Sequence, residues 1–460
     1  MRIQQALLPL QLTVMISIAL TVILVLGQSP LRADAASKSL ALRIEDVHSA
    51  RQDSPIGNSL DTRSALRLQQ RIEHRFGFTL ALNQALEGMR EQRALLSRAV
   101  TVSFVTDDGI TIPSLPVSVD RFPFWMTVEV SPLGMHSFLR ASALETALRE
   151  NLPEGIRIPE NAELLSIAPD GKVERAYTDG IAKPGYDFDP AVDAEQIGAA
   201  LTAGKSEIEI RLKTVAGKIN NASGEDLGKL TLLATGKSNF EGSGVGRKSN
   251  VRKGLAQHLH NSIVPAGAEF SFNSVLAGVP VSEWEMALGI FEGGNLRPVP
   301  GGGLCQVATT MYRAALNAGF PVLKRANHSL FVHYYEKYGV GIDATIFPGQ
   351  QDLTFLNNTD HALLIQAYTE GDEARVMIYG TPDGRVATLS GPYFSKNAPE
   401  TFTVDGRKLK SNEIAWEQQI TFADGRIETH PVVSRYKSIP KSVVNKYMHA
   451  AAQGEEKNGI

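Results

Sequence analysis

A single cysteine, Cys305, stands in a chain of 460 residues, so no intramolecular disulfide can brace the fold and packing must hold it together. The composition allows this. With 43% hydrophobic and 21% charged residues the chain has the make-up of an ordinary globular protein, and its length suggests about two to four domains. A formal charge of -3 without any sustained Lys/Arg run excludes a nucleic-acid partner, which needs a basic face to neutralise phosphates. A neutral or mixed-charge substrate fits better.

The amino terminus sets the expected compartment. No charged side chain occurs between Arg2 and Arg32, and Leu12 to Leu26 is almost wholly apolar, so residues 1–36 read as a signal peptide or a membrane anchor. Ala33-Asp34-Ala35 offers a small-x-small cleavage site, while the uncharged run Ala6 to Gly27 is also long enough to span a bilayer. Either outcome makes the protein extracytoplasmic, with the membrane as a partner if the segment is retained. Exported proteins commonly pair their cysteines or lack them, which makes a lone thiol notable.

The expected fold class is multidomain α+β. Residues 37–59, polar and holding Pro55 and Gly57, read as a linker. Apolar spacing predicts helices over Leu60 to Phe76 and Leu82 to Leu96, then strands over Thr101 to Val105 and Trp125 to Val130. Ser142 with Glu145 predicts a capping box opening a helix that runs to about Leu152. Asp189 caps a helix with Pro190 at its first position, and Ile208, Ile210 and Leu212 alternate as in a half-buried strand. Past residue 340 the pattern is strand and turn, with Asp383-Gly384, Asp405-Gly406 and Asp424-Gly425 as hairpin turns and a frayed last dozen residues.

Two signals lead nowhere. Ala234-Thr235-Gly236-Lys237-Ser238 mimics the end of a phosphate-binding loop, but Thr231 occupies the upstream glycine position. His258 and His260, two apart on a helix expected from Asn250 to about Asn261, turn their rings to different faces and do not suggest zinc. The sequence calls for no metal and no cofactor.

Cys305 opens a helical run to Ala318 that presents Val307, Met311, Ala314, Ala315 and Ala318 on one face and ends at Gly319-Phe320-Pro321. A thiol in a first helical turn meets unpaired N–H groups and the positive end of the helix dipole, which favour the thiolate. Gly301-Gly302-Gly303 ahead of it would let the main chain approach a substrate and offer N–H groups to an oxyanion. His328, 23 residues on, is the nearest downstream base. A small buried cysteine behind a tight packing turn accounts for the same residues.

Several motifs together resemble the VanW-like family, named after an accessory protein of vancomycin resistance. They are Arg247 to Val251, Pro265 to Asn273, Gly301-Gly302-Gly303-Leu304-Cys305-Gln306-Val307, Asn327-His328-Ser329, Asp343-Ala344-Thr345 and Asp352 to Asn358, in that order. On this resemblance residues 229–372 form a mixed α+β VanW-like domain. Residues 60–228 form a small α+β region, part of it similar to a peptidoglycan-binding domain often found ahead of VanW domains, and 373–460 form a β-rich tail. The resemblance implies cell-wall work by L,D-transpeptidase chemistry on peptidoglycan stem peptides. Cys305 is then the nucleophile, His328 its base and acid, and Asp343 the group that orients the imidazole. Gly302, Gly303 and Gln306 are the oxyanion or substrate candidates, with Arg325 or Arg297 as holder of a substrate carboxylate.

The sequence departs from the family pattern in three places. Ala308-Thr309-Thr310 stands where Ser-Ser-Thr is common, so those hydroxyls receive no catalytic role. Leu330-Phe331 follows the His-Ser pair where an apolar residue plus proline is frequent, and Ile342 precedes Asp343 where arginine is common. Two classes of function follow: a cysteine acyltransferase or hydrolase, and a non-catalytic envelope protein that binds peptidoglycan or a partner.

Overall fold

The structure, a computed structural model, describes residues 62–290 and 296–452. The export segment, the linker and residues 453–460 of the expected frayed tail lie outside the described residues. Among the described residues no helix is long and apolar enough to cross a membrane. The chain is multidomain α+β, as its sequence predicts, and its described residues divide into two compact units, one drawn from residues 1–158 and 186–214, the other from residues 159–185 and 215–460.

In the first unit the helices Thr62–Phe76 and Leu82–Leu96 bury Leu68, Ile72, Ala85 and Met89 against the hairpin Met126–Ser131/Gly134–Leu139. A three-stranded sheet pairs Ala99–Thr106 antiparallel with Leu115–Ser118 and parallel with Glu207–Leu212. The connection to that parallel strand includes the helix Pro190–Ala203. Asp189 caps it, its carboxylate accepting from the Ala191 N–H, and Gly204 ends it at φ 70°. The capping box expected at Ser142 does not form. Its helix, Ala141–Glu150, starts two residues earlier, with Arg140 as N-cap, and Glu145 pairs with Arg149 instead.

The second unit is built on a seven-stranded sheet in the order Ile219–Asn221, Ala162–Asp170, Val173–Asp179, Ser262–Val264, Leu363–Glu370, Glu373–Gly380 and Thr231–Asn239. These strands come from both sides of residues 228/229 and 372/373, so those two boundaries fall inside one hydrogen-bonded sheet. The Asp424-Gly425 turn joins the paired strands Glu413–Thr421 and Ile427–Arg435, as expected of a hairpin. Asp383-Gly384 instead joins two sheets, because Val386–Tyr393 pairs with Glu413–Thr421 rather than with the strand before it. The helix expected over 250–261 begins at Val245, and from Gly254 to Leu259 it widens to π geometry. His258 reaches Glu283, while the half-buried His260 ring accepts from the Ala367 N–H, so the two rings do part.

The Cys305 helix, Leu304–Asn317, lies against the edge strand Thr231–Asn239. An edge strand leaves a row of carbonyls unpaired. Here side chains from the helix take them: Asn317 Nδ2 donates to Thr235 O at 2.9 Å, Arg313 Nη1 to Lys237 O at 2.8 Å and Gln306 Nε2 to Asn239 O at 2.9 Å. The helix is therefore buried from Gln306 to Leu316 on all sides rather than on one face, with Thr309, Thr310 and Arg313 inside it. Gly236, the glycine of the false nucleotide motif, is what lets strand and helix approach. A Cβ there would stand 2.1 Å from Thr310 O and 2.5 Å from Ala314 N. Both obstacles are main chain and cannot rotate away, so Gly236→Ala should lower stability by about 1–3 kcal/mol, read as a reduced urea midpoint at constant slope.

Candidate active site

Three segments of the second unit meet at the sulfur. Cys305 occupies the second position of its helix, behind Gly303 as N-cap, and is half-buried. His328 and Asp343 sit on two loops joined by a β-bridge between Ala326 and Thr345, in which the Thr345 N–H donates to Ala326 O at 2.8 Å. That antiparallel register, continued by two residues, sets His328 opposite Asp343. The loop bearing Asp343 is fixed to the helix in turn. The Thr309 hydroxyl accepts from the Ala344 N–H at 3.0 Å and donates to Ala344 O at 3.1 Å. Arg313, fully buried, donates to five carbonyls: Ile342, Lys237, Lys337, Tyr335 and Gly339. Cys305, Thr309 and Arg313 are four residues apart, one row along one helix face. The same face thus carries the thiol and the anchors of the loop opposite it.

Asp343 is 1% exposed and both its oxygens are engaged. Oδ2 accepts from the His328 N–H at 2.8 Å and from His328 Nδ1 at 2.5 Å, while Oδ1 accepts from the Tyr436 hydroxyl at 2.5 Å and has Arg325 Nη2 at 3.8 Å. Burial alone would raise this carboxyl, but the hydrogen bonds and charges of His328 and Arg325 hold it below the usual carboxylate range. Arg325 is the charge partner that Ile342 could not be.

With Nδ1 bound to Asp343, Nε2 of His328 is left for the sulfur. Burial opposes a charge on this imidazole, yet Tyr335, Asp343 and Cys305 raise its pKa well above the ordinary value. Burial also pushes the thiol up. Hydrogen bonding to His328 and the imidazolium charge outweigh it, and with lesser help from Ile346 and Thr345 the thiol is lowered to about 7. Sγ stands 3.5 Å from Thr345 Oγ1 and 3.7 Å from Ile346 O. The pair is therefore suited to exist as thiolate and imidazolium near neutral pH, a nucleophile beside a proton donor.

The remaining sequence candidates are employed elsewhere. Gly302 and Gly303 bring the main chain close to the protein itself: a Cβ at Gly302 would stand 2.3 Å from Ala287 O, and Gly303 adopts φ 110° against Arg247 and Val251. The Gln306 side chain is wholly buried between Arg247, Ser238 and Asn239, pointing into the core instead of towards an oxyanion. Arg325 directs its guanidinium to Asp343 O, Val433 O, Gly341 O and the Ser434 hydroxyl, so it supports the carboxylate and does not face a substrate. Arg297 is exposed on the strand Leu296–Pro300. Sequence reasoning missed Tyr436, because a tyrosine 93 residues from its carboxylate carries no local pattern.

A cysteine–histidine–aspartate row on an α+β scaffold is an arrangement that can serve a thiol nucleophile with an oriented imidazole. Residues 246–379 match the family model described as "VanW like protein", and the chain carries a VanW-like domain there. The chain is 28% identical over 180 residues to a Bacillus subtilis (strain 168) protein described as "Uncharacterized protein YoaR". That stretch is 39% of this chain and 57% of the relative, so the similarity spans less than two thirds of the latter. No solved structure matches the chain. All three residues of the row fall within the VanW-like match, while Ser434 and Tyr436 lie beyond it.

His328→Ala removes the compensation and leaves the burial, so the thiol should then titrate above the free-cysteine value of about 8.5. Iodoacetamide rates against pH read this directly: the wild type should show a midpoint near 7, and a wild-type midpoint above 8.5 would rule out the ion pair. Tyr436→Phe leaves a buried charge short of one donor and should cost about 1–3 kcal/mol in chemical denaturation.

Proposed function

We propose that the second unit is a cysteine acyltransferase acting outside the cytoplasm on peptidoglycan stem peptides, by chemistry of the L,D-transpeptidase kind. The observation that carries the reading is the Cys305–His328–Asp343 row, with Nδ1 of His328 2.5 Å from Asp343 and the thiol held at about 7. The VanW-like match supports association with the cell wall. The uncharged amino-terminal segment supports an extracytoplasmic location.

In this reaction Sγ of Cys305 attacks the carbonyl carbon of the diamino acid in a donor tetrapeptide, forming a C–S bond and an oxyanion. Collapse breaks the C–N bond to the terminal D-alanine, whose amine takes its proton from His328. The resulting thioester is attacked by a side-chain amine of a second stem. His328 accepts the amine proton, and the C–S bond breaks to restore the thiolate. Asp343 keeps the imidazole in one orientation through both proton transfers and favours its charged form between them. A thiolate suits this role, because its acyl product reacts readily with an amine.

A second reading has its own support in the committed glycine turn and the inward-facing Gln306. In it the protein binds peptidoglycan or a partner, and Cys305 serves packing. One experiment decides between them: purified protein is incubated with disaccharide tetrapeptide and the products are weighed by mass spectrometry. A crosslinked dimer with loss of D-alanine is the expected result. Tripeptide alone would make the protein a hydrolase, and unaltered substrate with a slow thiol would leave only the binding role.

A further inference from the structure

Among the described residues, Arg247 is a guanidinium beside the Cys305 helix that the fold uses only in part. It lies on the helix Val245–Lys253, and its stem packs on Gly303, where a Cβ would stand 3.0 Å from Arg247 Cγ. Nη2 donates to Gln306 Oε1 at 2.7 Å, and the guanidinium carbon lies 4.8 Å from the centroid of the Tyr334 ring. Nε is buried without a hydrogen-bond partner, and among the described residues no carboxylate forms an ion pair with this side chain. Arg313 and Arg325, by contrast, are each saturated by carbonyls and hydroxyls of the chain. A half-buried cation over an aromatic ring, with a buried donor atom unfilled and no carboxylate partner, has lost hydration that one amide bond and one ring contact replace only in part. Its position gives that deficit a use. Gly303 is the N-cap two residues before the sulfur, and Tyr334 adjoins Tyr335, whose ring lies 5.2 Å from that of His328.

We infer that Arg247 receives a free carboxylate of the substrate and so selects anionic peptides that bear a carboxylate close to the carbonyl Cys305 attacks. This rests on the acyl-transfer reading and assigns to Arg247 the role that the sequence suggested for Arg325 or Arg297. A carboxylate fits the guanidinium fork in two parallel hydrogen bonds and supplies the missing counter-charge. Tyr334 holds the fork in plane from one side, so the ligand need not order a flexible arm before it binds.

Two alkylating probes of near-equal size test this on the full chain: iodoacetate, which carries a carboxylate, and iodoacetamide, which does not. In both the thiolate displaces iodide, a C–S bond replacing the C–I bond. The ratio of the two rates should fall by about tenfold in Arg247→Gln, stay near the wild-type value in Arg247→Lys, and shrink with rising salt in the wild type. A ratio equal in Arg247→Gln and wild type overturns the assignment. Should Arg247→Gln fail to fold, protection of wild-type Cys305 from iodoacetamide decides: N-acetyl-D-alanine should protect and its amide should not, and equal protection by the two overturns the assignment. A sulfur slow towards both reagents counts against acyl transfer, while the ratio still decides the role of Arg247.

Discussion

A carboxylate charge kept almost entirely from water is the constraint around which this site is built. Asp343 retains it because the His328 main chain and imidazole, the Tyr436 hydroxyl and the Arg325 guanidinium converge on its two oxygens. Removing any one leaves the charge undersolvated in a medium where that is expensive. Those donors come from distant parts of the sequence, so the carboxylate also acts as a clasp between the loop at 325–328 and Tyr436, the residue that follows the strand Ile427–Arg435. The imidazole is oriented as a by-product of satisfying the carboxylate, and the thiol is acidified as a by-product of orienting the imidazole.

Arg313 performs the same service for backbone. Loops that carry functional residues expose carbonyls that cannot all find partners. Five of them, gathered from residues 237 to 342, accept from this one buried guanidinium. Burial lowers the pKa of Arg313 to about 10, which still leaves it charged at neutral pH. The wall facing Cys305 is thus held from the same helix that holds the sulfur, and thiol and imidazole are tied to one rigid element.

Much of this was legible in the sequence, for reasons that differ by element. Leu82–Leu96 and the capped helix at Pro190 are read correctly because their signals are local: apolar spacing, an aspartate cap, a closing glycine. The row of Cys305, His328 and Asp343 is nominated by helix position and family resemblance, and the bridge at Ala326 and Thr345 is what brings its last two members opposite each other. The roles of Gln306 and Arg325 are misjudged for a single reason. Polar side chains beside a nucleophile look like substrate contacts in one dimension, whereas the unpaired carbonyls and hydroxyls they satisfy lie up to 109 residues away. The seven-stranded sheet escapes for a related reason, since the strands at 162–179 and 363–370 pair only through the short strand at 262–264.

The position of Tyr436 bears on how the VanW-like segment is best understood. The match stops at residue 379, yet the second oxygen of Asp343 is completed by Tyr436 and the guanidinium beneath it by Ser434 and Val433. Both contacts are made from one edge of a three-stranded sheet whose central strand sends Trp416 Nε1 to Val340 O and Gln418 Nε2 to Leu316 O. A chain ending at the match would therefore leave the carboxylate with an unfilled acceptor and the end of the Cys305 helix uncovered. The strands after residue 380 are in physical terms part of the site, although the family match ends before them.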